Sequence, residues 1–169
     1  MGLYWSDIER VYVPDAEAHW QVCGAMGLRC PFDVFEQLFH EHTGDPQLQS
    51  LLRSVNWRAV CWAEESLSGE AFLQLAIPRP FRLAVEEARA QTMVSGFWDF
   101  RDDVMRSWRE EGTWVRPPVL VEGSLLQCAA EREALVGWTR IGDLLGMLER
   151  GEVYEEYVHR VWVGVRADA

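Results

Sequence analysis

The sequence contains no lysine. All 16 basic residues of the 169-residue chain are arginines, and they stand against 27 acidic residues. A chain without lysine cannot form a Schiff base with a substrate, use an amine as a general base or hold phosphates with the lysine of a P-loop. Enzyme classes that depend on a lysine side chain are therefore excluded.

The sequence also lacks the cysteine spacing of metal sites and long apolar runs. The four cysteines, at positions 23, 30, 61 and 128, show no CxxC spacing. No signal-peptide pattern opens the sequence, and no apolar run reaches the ~18 residues that span a bilayer. We therefore expect reduced, mostly buried thiols in a cytoplasmic protein without a membrane segment.

Negative charge dominates the chain, with a formal net charge of −11 and a sequence pI near 4.8. Binding to DNA needs clustered cations that displace counterions, and the arginines form no basic stripe, so DNA is not an expected partner. The acidic balance suits a protein that meets a basic partner, since complementary charge speeds encounter. Solubility alone is the alternative explanation.

The length and the 49% hydrophobic content predict one folded domain over residues 1–169. The local patterns predict an α+β fold with a small mixed sheet of four to five strands. Residues 1–55 are expected to form a helical N-terminal elaboration on an α/β body over about residues 57–165. Most of the nine tryptophans are expected in the core.

Cap residues and hydrophobic spacing locate the elements. Asp15, Asp33 and Asp45 precede helical patterns and are predicted N-caps, with Pro46 at the first position of its helix. The predicted helices cover residues 16–23, 34–42, 46–54, 81–93, 98–108 and 138–149, and Gly24 is expected to end the first. The predicted strands cover residues 10–14, 57–64, 71–77, 119–121, 135–136 and 159–165, with a turn at residues 66–69.

The strongest hint of chemistry is the turn at Gly137. A short apolar run ends at this glycine and a helical pattern begins at once. Free amide groups at a helix start, with the helix dipole behind them, favour an anion such as phosphate. Thr139 adds a hydroxyl and Arg140 a planar fork that can hold two phosphate oxygens. The alternative is a plain strand–helix turn, with Trp138 packed and Arg140 paired to a surface acid.

The surrounding order of elements resembles the ParB/sulfiredoxin-like superfamily. Residues 135–142 read Leu-Val-Gly-Trp-Thr-Arg-Ile-Gly, which is similar to the Leu-Val-Glu-Gly-His-Thr-Arg-Leu-Gly segment that opens a helix in ParB-like bacterial domains. A predicted strand with Glu122-Gly123-Ser124 precedes it, and a closing strand with His159 follows. The resemblance covers about residues 115–165, with an extension over residues 57–77, and implies a ParB-like core in the α/β body.

The resemblance implies a phosphate or nucleotide ligand, ATP or CTP with Mg²⁺, contacted by Gly137, Thr139 and Arg140. In this interpretation Trp138 stacks on the base, Glu122 holds the Mg²⁺, and Ser124 also belongs to the nucleotide site. The alternative for Glu122 is a solvated acid beside a glycine turn. Because Val136 and Trp138 occupy positions that are polar in active members, the resemblance implies binding with weak or no catalysis.

A second function fits the charge and the altered motif. Five acidic doublets lie at residues 64–65, 86–87, 102–103, 110–111 and 155–156. They are either solvated helix surfaces or an acidic face that docks a basic protein, as an immunity protein or antitoxin docks a toxin. Trp108 and Trp114, beside Glu110 and Glu111, would then anchor the partner.

No metal site is expected. His40 and His42 are two residues apart in a helical pattern, so their rings diverge by about 200°. His19 and Cys23 have i,i+4 spacing but lack a second pair of ligands.

Overall fold

A computed structural model describes residues 2–8, 15–42, 44–95 and 101–167. These residues form an α+β fold, as predicted, with eight α-helices and a four-stranded mixed sheet. The helices are α1 (Trp5–Ile8), α2 (Ala16–Met26), α3 (Phe32–Phe35), α4 (Pro46–Leu52), α5 (Gly69–Leu73), α6 (Arg82–Ser95), α7 (Asp102–Glu110) and α8 (Trp138–Glu149). The strands are β1 (Val60–Ser68), β2 (Val119–Glu122), β3 (Arg132–Val136) and β4 (Val158–Arg166).

The sheet has the strand order β1-β4-β2-β3. β1 and β4 pair antiparallel over their full lengths, from Val60 opposite Arg166 to Ser68 opposite Val158. β2 lies parallel to β4 and antiparallel to β3, which gives the mixed sheet. β2 is buried at three of its four residues, and β3 at four of five. These two short apolar strands therefore place the start of α8 deep in the fold.

Two glycines let α8 pack closely on α6. A Cβ at Gly142 would lie 2.7 Å from the Cβ of Ala88 and would also meet the backbone of α6. A Cβ at Gly146 would lie 2.8 Å from the Cβ of Thr92. Because side chains are absent at both glycines and small on α6, the two helix backbones approach each other directly. Gly142, which belongs to the segment resembling the ParB-like motif, thus has a packing role here.

Most described tryptophans are in the core, as expected: Trp5, Trp57, Trp108, Trp114 and Trp138 are buried. Trp62 and Trp162 are partly buried, and Trp20 is exposed at 67% on α2. Among the described residues, no helix combines the length and the apolar character needed to cross a bilayer.

The N-terminal third is helical in its described part, and two of its caps are those predicted. The carboxylate of Asp15 accepts a hydrogen bond from the amide of Ala18, and that of Asp45 accepts from the second and third residues of α4. The strand predicted over residues 10–14 lies outside the described residues, as does the start of the helix predicted from residue 98.

Two predictions in this third are wrong. Gly24 does not end α2, because the helix continues to Met26 and stops at Gly27, whose φ of 66° is left-handed. Asp33 is not an N-cap, because α3 begins one residue earlier at Phe32. Its carboxylate binds Arg116 and the indole of Trp162 instead, so a tertiary contact overrides the local capping signal.

The strand predicted over residues 71–77 is also wrong. Residues 66–68 complete β1 rather than forming a turn, and Gly69 begins α5. Ser68 is the N-cap, since its hydroxyl accepts from the amide of Ala71. Residues 71–77 therefore contribute a helix and only one bridge to the sheet, between Ala76 and Glu133.

Substitution of Gly142 or Gly146 by alanine is expected to destabilise the fold by about 1–3 kcal/mol, because the new methyl group would force α6 and α8 apart. Urea unfolding followed by far-UV circular dichroism measures the change. Gly24→Ala is the matched control, since a Cβ there meets nothing within 4 Å. It should be neutral or stabilise by up to about 1 kcal/mol. Equal effects at all three glycines would contradict the packing role.

Candidate functional site

The turn before α8 depends on glycine. Gly137 has φ 92° and ψ 26°, a left-handed conformation that L-residues with side chains rarely adopt. A Cβ there would lie 2.7 Å from the Cβ of Pro118. Gly137 is the N-cap residue of α8 and supplies no side-chain acceptor to the first turn. The predicted strand–glycine–helix arrangement is therefore present, but Gly137 itself is buried against the residue before β2.

Arg140 folds back under this turn and holds neighbouring segments together. Its Nη1 donates to the carbonyl of Arg116 at 2.5 Å, and its Nη2 donates to Oε1 of Gln37 at 2.6 Å. Burial, with the nearby charge of Arg116, lowers the pKa of Arg140 to about 10. Gln37, which is fully buried, also donates to the carbonyl of Pro117 at 3.1 Å. The guanidinium thus ties α8 to the π-helical segment Glu36–Glu41 and to the loop before β2.

Arg116 lies beside Arg140 and is surrounded by carboxylates. It binds Asp33 at 3.0 Å, Glu36 at 3.0 Å and Glu41 at 2.5 Å. Burial alone would lower the pKa of Arg116, but the hydrogen bonds and charges of Glu41 and Asp33 outweigh it, so the pKa is raised. The guanidinium of Arg116 is therefore held by three carboxylates of the same chain.

Trp138 and Thr139 have opposite environments. The ring of Trp138 is 9% exposed and stacks on Phe81, with centroids 3.6 Å apart and planes 7° from parallel. Its Nε1 donates to the carbonyl of Ala134 at 3.3 Å. The face expected to stack on a base is therefore occupied by Phe81. Thr139 is exposed, so its hydroxyl is the accessible side-chain group of this turn.

Glu122 and Ser124 lie at the other end of the β2–β3 pair. Val119 pairs with Val136 beside the Gly137 turn, whereas Glu122 pairs with Arg132 three residues further along, about 10 Å away. The carboxylate of Glu122 accepts from the hydroxyl of Ser124 at 3.4 Å and from the amide of Arg166 at 3.3 Å. The structure therefore does not bring these two residues to the α8 turn.

A cavity of about 690 Å³ lies next to that turn. It is bounded by α6, by α7, by residues 114–116 and by the first turns of α8. Thr139 and Arg140 line it, and so do Trp108 and Trp114. The residues predicted for a phosphate site and those predicted for partner docking thus border the same cavity. Its volume is typical of a small-molecule pocket.

The two indoles form a fixed wall of this cavity rather than protruding anchors. Trp108 is 9% exposed and Trp114 is 1% exposed, and their rings meet edge to face at 5.8 Å. Nε1 of Trp114 donates to the carbonyl of Arg160 at 2.6 Å. Neither ring projects from the surface as the docking hypothesis expected, whereas Glu110 and Glu111 are exposed.

Asp143 is a cavity residue that the sequence analysis did not single out. It lies on the second turn of α8, and the hydroxyl of Thr92 on α6 donates to its Oδ1 at 3.0 Å. Burial raises the pKa of Asp143 to about 6, although the Thr92 hydrogen bond acts to lower it. An available signal was an acidic residue one position after Gly142, on the side of α8 that packs against α6.

His159 lies behind the indole wall. It is fully buried, packs against Phe72, Trp108 and Trp114, and neither ring nitrogen has a hydrogen-bond partner in the described structure. Burial lowers the pKa of His159 to about 4. The aromatic wall therefore rests on a histidine that is held neutral.

The residues that the structure describes include no group of three or more potential metal ligands. His19 donates to the carbonyl of Cys30 at 2.7 Å, and Cys23 approaches its other ring nitrogen at 3.5 Å, all in a buried cluster. Comparison of the chain with protein-family models, with curated proteins and with solved structures found no match in any of the three.

Replacing Arg140 with leucine is expected to destabilise the protein by about 2–3 kcal/mol, because the buried amide oxygen of Gln37 and the carbonyl of Arg116 lose their donor. Gln37→Leu should have a similar effect, and the double variant should cost less than the sum of the two, because they share one hydrogen bond. Urea unfolding measures all three. The exposed Arg53→Ala serves as control and should change stability by less than about 0.5 kcal/mol. Additive effects would contradict the direct coupling.

His159 is expected to make the protein lose stability in acid. Between its unfolded pKa of 6.5 and its folded pKa of about 4, acidification protonates only the unfolded chain, which costs up to about 3 kcal/mol. Asp143 acts in the opposite sense, since its folded pKa of about 6 exceeds the ordinary aspartate value of 3.8, so stability is gained as the pH falls through that range.

The measurement is the free energy of unfolding at pH values from 7 to 4. His159→Leu should lose less stability than wild type over this range, and Asp143→Asn should lose more. Identical pH profiles for wild type and His159→Leu would contradict the neutral buried histidine.

Proposed function

We propose that this protein is a non-catalytic binding protein whose acidic cavity face holds a basic protein partner, as an immunity protein or antitoxin holds a toxin. The cavity face is defined here as the cavity together with the exposed acids of α6 and α7 around it. The observation that supports the proposal is the charge left uncompensated in the cavity. Three guanidinium groups line it, and all of them have partners within the protein.

Arg116 is held by three carboxylates, and Arg140 donates to a carbonyl and to Gln37. Arg101 pairs with Asp103 at 3.3 Å on the rim. By contrast, Asp143 and Glu87 also line the cavity, and neither has a cationic partner among the described residues. The free charge of the cavity is therefore negative, which favours a cation over a phosphate.

The surrounding surface has the same sign. Three of the acidic doublets, at residues 86–87, 102–103 and 110–111, lie on α6 or at the two ends of α7, and all six side chains are exposed. A field of one sign around a concave site attracts an oppositely charged protein and raises its rate of encounter. The cavity face would therefore steer a basic partner toward Asp143.

A phosphate or nucleotide ligand, ATP or CTP with Mg²⁺, is the second candidate. It is favoured by the first turn of α8, where Gly137 supplies no side-chain cap and Thr139 is exposed beside the cavity. It ranks second because Arg140 would have to leave Gln37 and the Arg116 carbonyl to reach a phosphate. The resemblance to the ParB-like domains remains part of this candidate.

A hexa-arginine peptide, titrated at low salt while tryptophan fluorescence is recorded, tests the first candidate. The variant Glu87→Gln/Asp103→Asn/Glu110→Gln should weaken binding about fivefold or more, because it removes three charges around the cavity. The matched control, Glu70→Gln/Glu155→Gln/Glu156→Gln, removes the same charge from exposed residues elsewhere and should change the affinity less than about twofold. Equal losses in both variants would show only general electrostatic attraction and would contradict the proposal.

Titration with ATP and CTP in the presence of Mg²⁺ separates the two candidates. The first predicts no binding at ligand concentrations up to about 1 mM, because the cavity repels anions. Submillimolar binding that Thr139→Val weakens would instead establish the second candidate and overturn the first.

A further inference from the structure

At neutral pH the side chain of Asp143 is ionised, and this carboxylate destabilises the fold. It is partly buried, its one hydrogen bond within the described structure comes from the neutral hydroxyl of Thr92, and it has no cationic partner there. Burial of a carboxylate without a cation destabilises the charged form. When a residue destabilises the fold and borders a cavity, a role in binding a ligand explains it better than a structural role does.

Two buried indoles border the cavity close to this helix. Trp108 and Trp114 line it and are held perpendicular to each other, with an interplanar angle of 85°. Their positions are fixed by the hydrogen bond from Trp114 to the Arg160 carbonyl and by packing on His159. Because Trp108 is only 9% exposed and Trp114 only 1%, the two indoles act as an apolar boundary of the cavity close to α8.

The cavity can be tested against the two basic side chains, the guanidinium of arginine and the ammonium of lysine, by their shape and hydration. A guanidinium is planar, stacks on indole rings and donates two parallel hydrogen bonds to a carboxylate. An ammonium is compact and strongly hydrated, so its transfer into a half-buried site costs more. A half-buried carboxylate therefore suits an arginine side chain better than a lysine side chain.

We infer that Asp143, with Thr92 orienting its carboxylate, anchors a subsite in which the cavity receives one arginine side chain of the basic partner. The inference rests on the proposed function and makes it more specific: Glu87 and the other acids of the cavity face attract the partner, and Asp143 binds one guanidinium. Trp108 and Trp114 border the space that the inserted side chain occupies.

N-acetylarginine amide, titrated into the full chain at pH 7.5 and followed by calorimetry, tests the subsite. We expect saturable binding in the millimolar range, as for a small fragment, and weaker binding of N-acetyllysine amide. Asp143→Asn should reduce the affinity at least about tenfold, because the charge is lost while the amide oxygen can still accept from Thr92. Glu87→Gln on the rim should reduce it about two- to threefold, and Glu156→Gln, remote in the fold, should leave it unchanged.

A stability readout accompanies the binding assay. Asp143→Asn should unfold at a higher temperature than wild type at pH 7.5, since the uncompensated carboxylate is removed. A variant that is more stable yet binds less is the signature of a functional carboxylate rather than a structural one. Lower stability of Asp143→Asn, or equal affinity of N-acetylarginine amide for it and for wild type, would overturn the inference.

The outcomes also separate the inference from the function on which it rests. If the hexa-arginine peptide binds and the cavity-face variant weakens it, but N-acetylarginine amide does not bind, the arginine subsite is wrong and the proposed function stands. If neither probe binds, both are wrong.

Discussion

The close contact between α6 and α8 is the constraint on which the rest of the site depends. It exists because Gly142 and Gly146 present no side chains to Ala88 and Thr92. The same approach brings the Thr92 hydroxyl within 3.0 Å of Asp143. At the other end of the site, Gly137 lies against Pro118 and Arg140 ties α8 to the loop that carries Arg116. The cavity is the space left between this helix pair, α7 and that loop.

The Gly137 turn illustrates why a short motif leaves its role open. A left-handed glycine followed three residues later by an arginine can present amides and a guanidinium to a phosphate. The same geometry can turn the guanidinium inward to satisfy buried acceptors, and here it binds Gln37 and the Arg116 carbonyl. The choice depends on residue 37, which is distant in sequence, and on the carbonyl geometry of residue 116, and neither can be deduced from the motif.

Local signals predicted the elements that depend on local forces. α8 has the predicted bounds because a left-handed glycine starts it and its apolar spacing is regular, and α2 and α4 have the predicted aspartate caps. The turn and the strand predicted over residues 66–77 are wrong because Ser68 caps a helix, and serine is equally typical of a turn.

The site was predictable only in pieces. Thr139 and Arg140 were selected from a helix start, and Trp108 and Trp114 from an acidic neighbourhood, but their common cavity arises from tertiary packing. The sequence does not single out Asp143, because its role depends on its burial and on the absence of a cation near it in the described structure. Neither property can be deduced from its sequence neighbours. The resemblance to ParB-like domains stays a prediction.

Asp143 and Glu87 carry the uncompensated charge of the cavity, and the central claim is that the carboxylate of Asp143 is available to a cation. The most direct measurement is the titration of the Asp143 side-chain carbon by NMR, in the free protein and with saturating hexa-arginine peptide. The account predicts a midpoint near pH 6 in the free protein, as its pKa of about 6 implies, and a clear decrease in the complex because a bound guanidinium stabilises the ionised form. A midpoint that the peptide leaves unchanged, with the amide signals of Trp138, Thr139 and Arg140 shifting on addition of ATP or CTP, would contradict it.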